Sequence, residues 1–169
     1  LGGYERISGR VGMQLRDEGL RARGFREFNP HVAYQRYNRL DGSLQSATLH
    51  MDNHFDWENG NYIAPAVNID WEGLDVPFEV SPGVVVPVGT YRSTHTAFRT
   101  HTDARKWISA TFDWDYGGFL SGRQNSTAPG IVLRRGGTMS LAAVWLRNDI
   151  DLPEGSFVTN LANLRATYN

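Results

Sequence analysis

From Leu44 to Glu58 the chain reads L-Q-S-A-T-L-H-M-D-N-H-F-D-W-E and alternates almost without a break. Gln45, Ala47, Leu49, Met51, Asn53, Phe55 and Trp57 point one way. Ser46, Thr48, His50, Asp52, His54, Asp56 and Glu58 point the other, because successive side chains of a strand lie on opposite faces. One face is mostly apolar and ends in two aromatics; the other is hydroxyl, imidazole and carboxylate. A typical strand has about 5–6 residues, so a run of roughly 15 exceeds the usual soluble size. A strand that long, apolar on one side and ionisable on the other, suits the wall of a membrane barrel with a wet lumen.

The same dyad recurs along the chain. Tyr4 to Leu15 sets Ile7, Val11 and Met13 against Arg6, Ser8 and Arg10. Arg26 to Arg36 sets Phe28, Val32 and Tyr34 against Asn29, His31 and Gln35, with Pro30 awkward for a central strand. Asp41-Gly42 and Asn59-Gly60 are tight-turn signals on either side of the organising strand. Further strands are predicted at Asn61 to Glu72, Tyr91 to His101, Lys106 to Tyr116, Gln124 to Leu133, Thr138 to Arg147 and Phe157 to Asn169. The last slips parity near Ala162-Asn163, which predicts a bulge. No helical period is legible anywhere.

The connections after Glu58, His101 and Leu133 read as short. Those spanning Gly73 to Thr90, following Tyr116, and running from Asn148 to Ser156 read as longer. Short turns at one end and long loops at the other are the habit of outer-membrane barrels. The aromatics sort with them: Trp71, Trp114, Tyr116 and Trp145 toward the long-loop end, Phe55, Trp57 and Tyr168 toward the short-turn end, as two interfacial girdles would. The connection from Arg16 to Arg23 is too long for this rule.

The expected fold is therefore all-β: an antiparallel up-and-down meander of about nine long strands, forming a partial, open outer-membrane-type β-barrel. Both ends of the chain read as strand, so residues 1–169 are expected to be a fragment of a single transmembrane barrel domain truncated at both ends. The balance of 17 Lys+Arg against 18 Asp+Glu gives no basic surface for nucleic acid. The absence of cysteine removes disulfides and thiolate chemistry.

His50, Asp52, His54, Asp56 and Glu58 form a same-face row that could hold a divalent metal. Alternate residues of one strand stand about 6.6 Å apart, however, so ligands at about 2.1 Å from one ion need help from a neighbouring strand. The plainer reading is a hydrated, lumen-facing row, with no cofactor expected. Asp113 and Asp115 share a face, as a glycosidase acid pair would, but alternating carboxylates are what a polar barrel interior offers anyway. Asn125-Ser126-Thr127 fits the N-glycosylation pattern, which in a bacterial barrel is expected by chance. No nucleophile elbow, phosphate loop or metalloprotease helix is present.

Three separated motifs keep order and spacing with a known family. They are Trp57-Glu58-Asn59-Gly60; Asp75 to Val80 with Pro82 to Pro87 and Gly89 to Arg92; and Arg147 to Pro153 with Gly155 to Phe157. Over about Leu40 to Tyr168 the chain resembles the C-terminal β-barrel region of the bacterial family called domain of unknown function 5916. Pro129 and the turn Arg134 to Gly137 depart from that family's more regular alternation. The resemblance implies an outer-membrane protein that joins an N-terminal family-9-like carbohydrate-binding domain to this barrel. It implies outer-membrane lipid as partner, carbohydrate as a partner of the absent domain, and no catalytic residue here. Two other readings stay open: a soluble all-β glycan-binding module, and a glycan-active hydrolase using the aspartate pair.

Overall fold

A computed structural model describes residues 3–168. Nine strands form a single antiparallel sheet in meander order: β1 (Tyr4–Gly12), β2 (Phe25–Arg39), β3 (Leu44–Trp57), β4 (Tyr62–Leu74), β7 (Gly89–His101), β8 (Ile108–Phe119), β9 (Gly122–Arg135), β10 (Met139–Leu152) and β11 (Gly155–Tyr168). A separate hairpin of β5 (Phe78–Ser81) and β6 (Val84–Val86) lies in the β4–β7 connection. Among the described residues β1 pairs only with β2 and β11 only with β10, so the sheet keeps two edges and does not close.

The organising stretch is β3, and both glycine turns beside it form: Gly42 and Gly60 have φ of 83° and 84°, the left-handed conformation that favours glycine. Pro65 and Pro129 sit inside strands. The β3–β4 ladder lacks pairs between Asp52–Ala66 and Phe55–Ile63, and the β9–β10 ladder lacks them between Gly130–Val144 and Thr127–Arg147. Register is the same on both sides of each gap. Proline has no N–H to donate, so the ladder skips it without slipping. Pro30 stands just beyond the last β1 pair, Gly12–His31, where little ladder remains to be broken on that side.

Several expectations are corrected. Residues Arg16 to Arg23 are not all loop: α1 (Glu18–Ala22) is a short helix whose first turn is capped by the Asp17 carboxylate, which accepts from the Leu20 N–H at 2.9 Å. The long loops expected after Tyr116 and from Asn148 to Ser156 are mostly strand. Leu120-Ser121 and Pro153-Glu154 alone turn the chain there. Of the connections at that end only β4–β7 is long, so loop-length asymmetry does not distinguish the two ends. No bulge occurs at Ala162-Asn163; the β10–β11 register runs evenly from Met139–Tyr168 to Leu152–Gly155.

Register carries the dyad across the whole sheet. On one face lie Ile7, Val11, Val32, Val67, Phe112, Ile131, Leu141 and Leu164, all substantially exposed. Among the described residues no second layer covers them: sheet strands contact their ladder neighbours, and the buried apolar cluster is elsewhere. On the opposite face, hollows of about 300 Å³ and 320 Å³ are walled by side chains from four and five successive strands. Hollows shared by so many strands fit a sheet that curls toward its polar face, here called the concave face. Toward β10 and β11 that face turns more apolar, with Val144, Leu146 and Leu161.

The buried apolar cluster is Val84, Val86 and Leu152, with Leu74, Val80, Tyr91, Phe119, Leu120, Ile150 and Phe157 against it. It docks the β5–β6 hairpin onto the β8–β9 and β10–β11 turns at one end of the sheet. Phe78 of the hairpin lines a hollow with Ser46, Thr48, Asp70 and His95, so the hairpin leans over the concave face.

Candidate functional site

Four of the chain's five histidines meet in one polar cluster on the concave face. His31 of β2 stands opposite Asp52 of β3 in the antiparallel ladder, and its Nδ1 touches Asp52 Oδ1. Directly opposed residues bring their side chains closest across a ladder. His50 and His54 flank Asp52 at i−2 and i+2 on the same face. His54 Nε2 hydrogen-bonds Asp52 Oδ2 at 2.6 Å, and His50 Nε2 lies 3.1 Å from the same oxygen. The His31 ring centroid is 5.3 Å from those of both His50 and His54. Three imidazoles thus converge on one carboxylate, whose side chain is only 7% exposed; that of His31 is 9% exposed.

The network continues across the sheet. His50 Nδ1 is 2.6 Å from Asn68 Oδ1, and Asn68 Nδ2 donates to His95 Nε2 at 3.0 Å. His95 Nδ1 faces Asp70 Oδ2 at 3.2 Å, and Thr48 Oγ1 donates to Asp70 Oδ1 at 2.7 Å. Asp115 of β8 approaches His95 Nε2 at 3.7 Å. This line of contacts crosses β2, β3, β4, β7 and β8, following the ladder pairs His31–Asp52, His50–Asn68 and Asn68–His95. Below it, Tyr62 takes the His54 ring edge-on at 5.5 Å and stacks on His101 at 4.9 Å.

The row read from sequence is thus partly assembled. His50, Asp52 and His54 are brought together, whereas Asp56 is held apart by Arg26, its Oδ1 accepting from Nη2 at 2.8 Å. Glu58 lies in the turn beyond β3. Asp113 and Asp115 do share the concave face; Asp113 sits opposite Arg99 and Asp115 reaches toward His95. The residues that sequence reasoning left out of the site are His31, Asn68, Asp70 and His95. Each has the right parity in its own strand, but placing it needs the cross-strand register.

The aromatics Phe55, Trp57, Trp71, Trp114, Tyr116, Trp145 and Tyr168 all fall on the apolar face by register. Phe25 and Phe28 of β2 join Phe55 and Trp57 in a patch with ring centroids 4.7 Å apart for Phe28–Phe55 and for Phe25–Trp57. Trp114 and Tyr116 stack at 6.0 Å. Trp107, expected within the strand Lys106 to Tyr116, lies instead in the β7–β8 turn and is 71% exposed.

Comparisons with protein-family models, curated proteins and solved structures return no match to this chain.

Proposed function

We propose that the chain is a membrane-spanning β-barrel segment of a bacterial outer-membrane protein, its convex face toward lipid and its concave face toward a hydrated lumen. One observation carries this reading: most apolar residues of the nine registered strands lie on the face that no described layer covers, while the histidines and carboxylates of β2, β3, β4, β7 and β8 lie on the opposite, hollowed face. In water that arrangement is inverted, since apolar area left exposed forgoes about 25 cal/mol per Å². In a bilayer it is the stable one. Strand length agrees: the nine strands run from 9 to 15 residues, against the about 9–11 that a tilted strand needs to cross.

Closing the sheet requires strands or copies that pair with β1 and β11, so the chain acts as part of a wall. Its partner is outer-membrane lipid. Carbohydrate recognition belongs, on the family resemblance, to an N-terminal domain outside this chain, and the wall itself serves as scaffold and passage rather than as an enzyme. The test is expression of the parent gene in a Gram-negative host. The reading requires a product that fractionates with outer membranes and migrates as a heat-modifiable band; a product recovered wholly from the soluble fraction would overturn it.

A further inference from the structure

We propose that His31, His50, Asp52 and His54 form a binding site for one divalent transition-metal ion, for which Zn(II) is the probe. The site needs only the β2–β3 ladder and does not rest on the membrane reading.

The argument begins at Asn68, two strands away from His31. Its Nδ2 can only donate, and it faces His95 Nε2; its Oδ1 can only accept, and it faces His50 Nδ1. With the amide in this orientation, His50 carries its proton on Nδ1. In the neutral ring this leaves Nε2 as a lone pair, and that lone pair looks at Asp52 Oδ2 from 3.1 Å. A lone pair facing a carboxylate is repulsive unless a cation lies between them. The side chain of Asp52 is more than nine-tenths buried, and its Oδ1 has no aligned hydrogen-bond donor; neither has His31 Nδ1 an aligned partner, although the two atoms touch. Buried polar atoms without partners are rare and costly.

A metal ion resolves these conflicts together. Ligand atoms of His31, His50 and Asp52 lie within 4.8 Å of one another, and His54 Nε2 is 2.6 Å from Asp52 Oδ2. Bonds of about 2.0–2.2 Å place the ligands of a four-coordinate ion about 3.4 Å apart, so small side-chain rotations suffice. Imidazole and carboxylate donors suit zinc, nickel or copper rather than calcium or magnesium. The second shell is in place: Asn68 fixes the His50 tautomer, as outer-shell partners do at histidine metal sites. The hollow lined by His50, Asp52 and His54 provides an entry path. The side chains of β3 lean together to supply three of these ligands, and His31, opposite Asp52 on β2, completes the set.

The competing cation is a proton, which would make His50 an imidazolium beside Asp52. Titration of the chelator-stripped full chain in detergent with Zn(II), followed by calorimetry and metal analysis, separates the two. The proposal requires one Zn(II) per chain, loss of that binding in His31→Ala and Asp52→Asn, and retention in His101→Ala. Asn68→Ala should weaken it by about 10–100-fold. Co(II) added to the unaltered chain gives a second readout that does not depend on the folding of any variant, the visible d–d bands of a four-coordinate ion. Absence of stoichiometric binding and of those bands, or undiminished binding in the folded His31 and Asp52 variants, overturns the metal site and leaves the protonated cluster.

Discussion

Val86 of the β5–β6 hairpin packs against Leu152 at the end of β10, and its side chain is fully buried. This contact ties the β4–β7 connection to two distant turns. Among the described residues the hairpin shares no ladder with the nine-stranded sheet, so its position depends on this apolar contact. Val86→Ala should cost about 1–3 kcal/mol of docking stability, seen as faster amide exchange from Phe78 to Val86 while β3 and β4 keep their protection. Equal loosening of β3 would mean that the hairpin holds up the sheet rather than resting on it.

Leu141 and Ser140 are neighbours on β10 with opposite facing: Leu141 lies on the uncovered apolar side, and Ser140 opposes Arg134 and Thr167 on the concave side. Arginine at Leu141 is expected to cost about 2–4 kcal/mol if the residue sits near the bilayer midplane. Arginine at Ser140 should cost far less, since a lumen position stays hydrated. Refolding titrations into lipid vesicles give both values, and equal losses would show that the facing of β10 is misassigned.

Asp103, in the turn between β7 and β8, accepts from the Arg105 guanidinium at 2.8 Å and from the Arg105 backbone N–H at 2.9 Å. These bonds lower its pKa from 3.8 to about 2. A carboxyl depressed in the folded state stabilises it fully above its unfolded pKa, and that stability is lost as pH falls through the folded value. The turn should therefore weaken between about pH 4 and pH 2. Asp41, lowered by its hydrogen bonds to Ser43, adds a slope of the same sign. Unfolding measured across this range should be less acid-sensitive in Asp103→Asn than in the unaltered chain. An unchanged slope would place the acid response elsewhere.

Alternation made the strands and their facing legible, because a period of two survives whatever the sheet packs against. The turns at Gly42 and Gly60 were equally plain, each needing a left-handed residue. The hairpin was hidden because Pro77, Pro82, Gly83 and Pro87 punctuate its short strands. The stretches Gly117-Gly118 and Asn148 to Asp151 read as loop because they are glycine-rich or polar. A paired strand tolerates such residues: Gly117 and Asn148 to Asp151 are paired on both sides and Gly118 on one, and both stretches are strand. Half of the histidine cluster lay within one strand and could be read there. Its other half depends on register: shifting β2 by one residue would turn His31 away from Asp52.

β1 and β11 leave the sheet with backbone edges that no described residue covers. Every residue of β1 is exposed, as is most of β11. Such edges are templates for pairing with other chains, and here they adjoin an uncovered apolar face. The two edges cannot simply meet as the other strands do. A meander of nine strands brings its first and last together parallel, whereas every pair in this sheet is antiparallel. In water the chain is therefore expected to associate through its edges and apolar face, and to disperse when detergent covers that face. Size-exclusion chromatography with light scattering, with and without detergent, measures this. A monodisperse monomer in plain buffer, unfolding cooperatively, would falsify the expectation; Leu49, Met51 and Leu141 would then have to be covered by the chain itself, and the convex face would be a core.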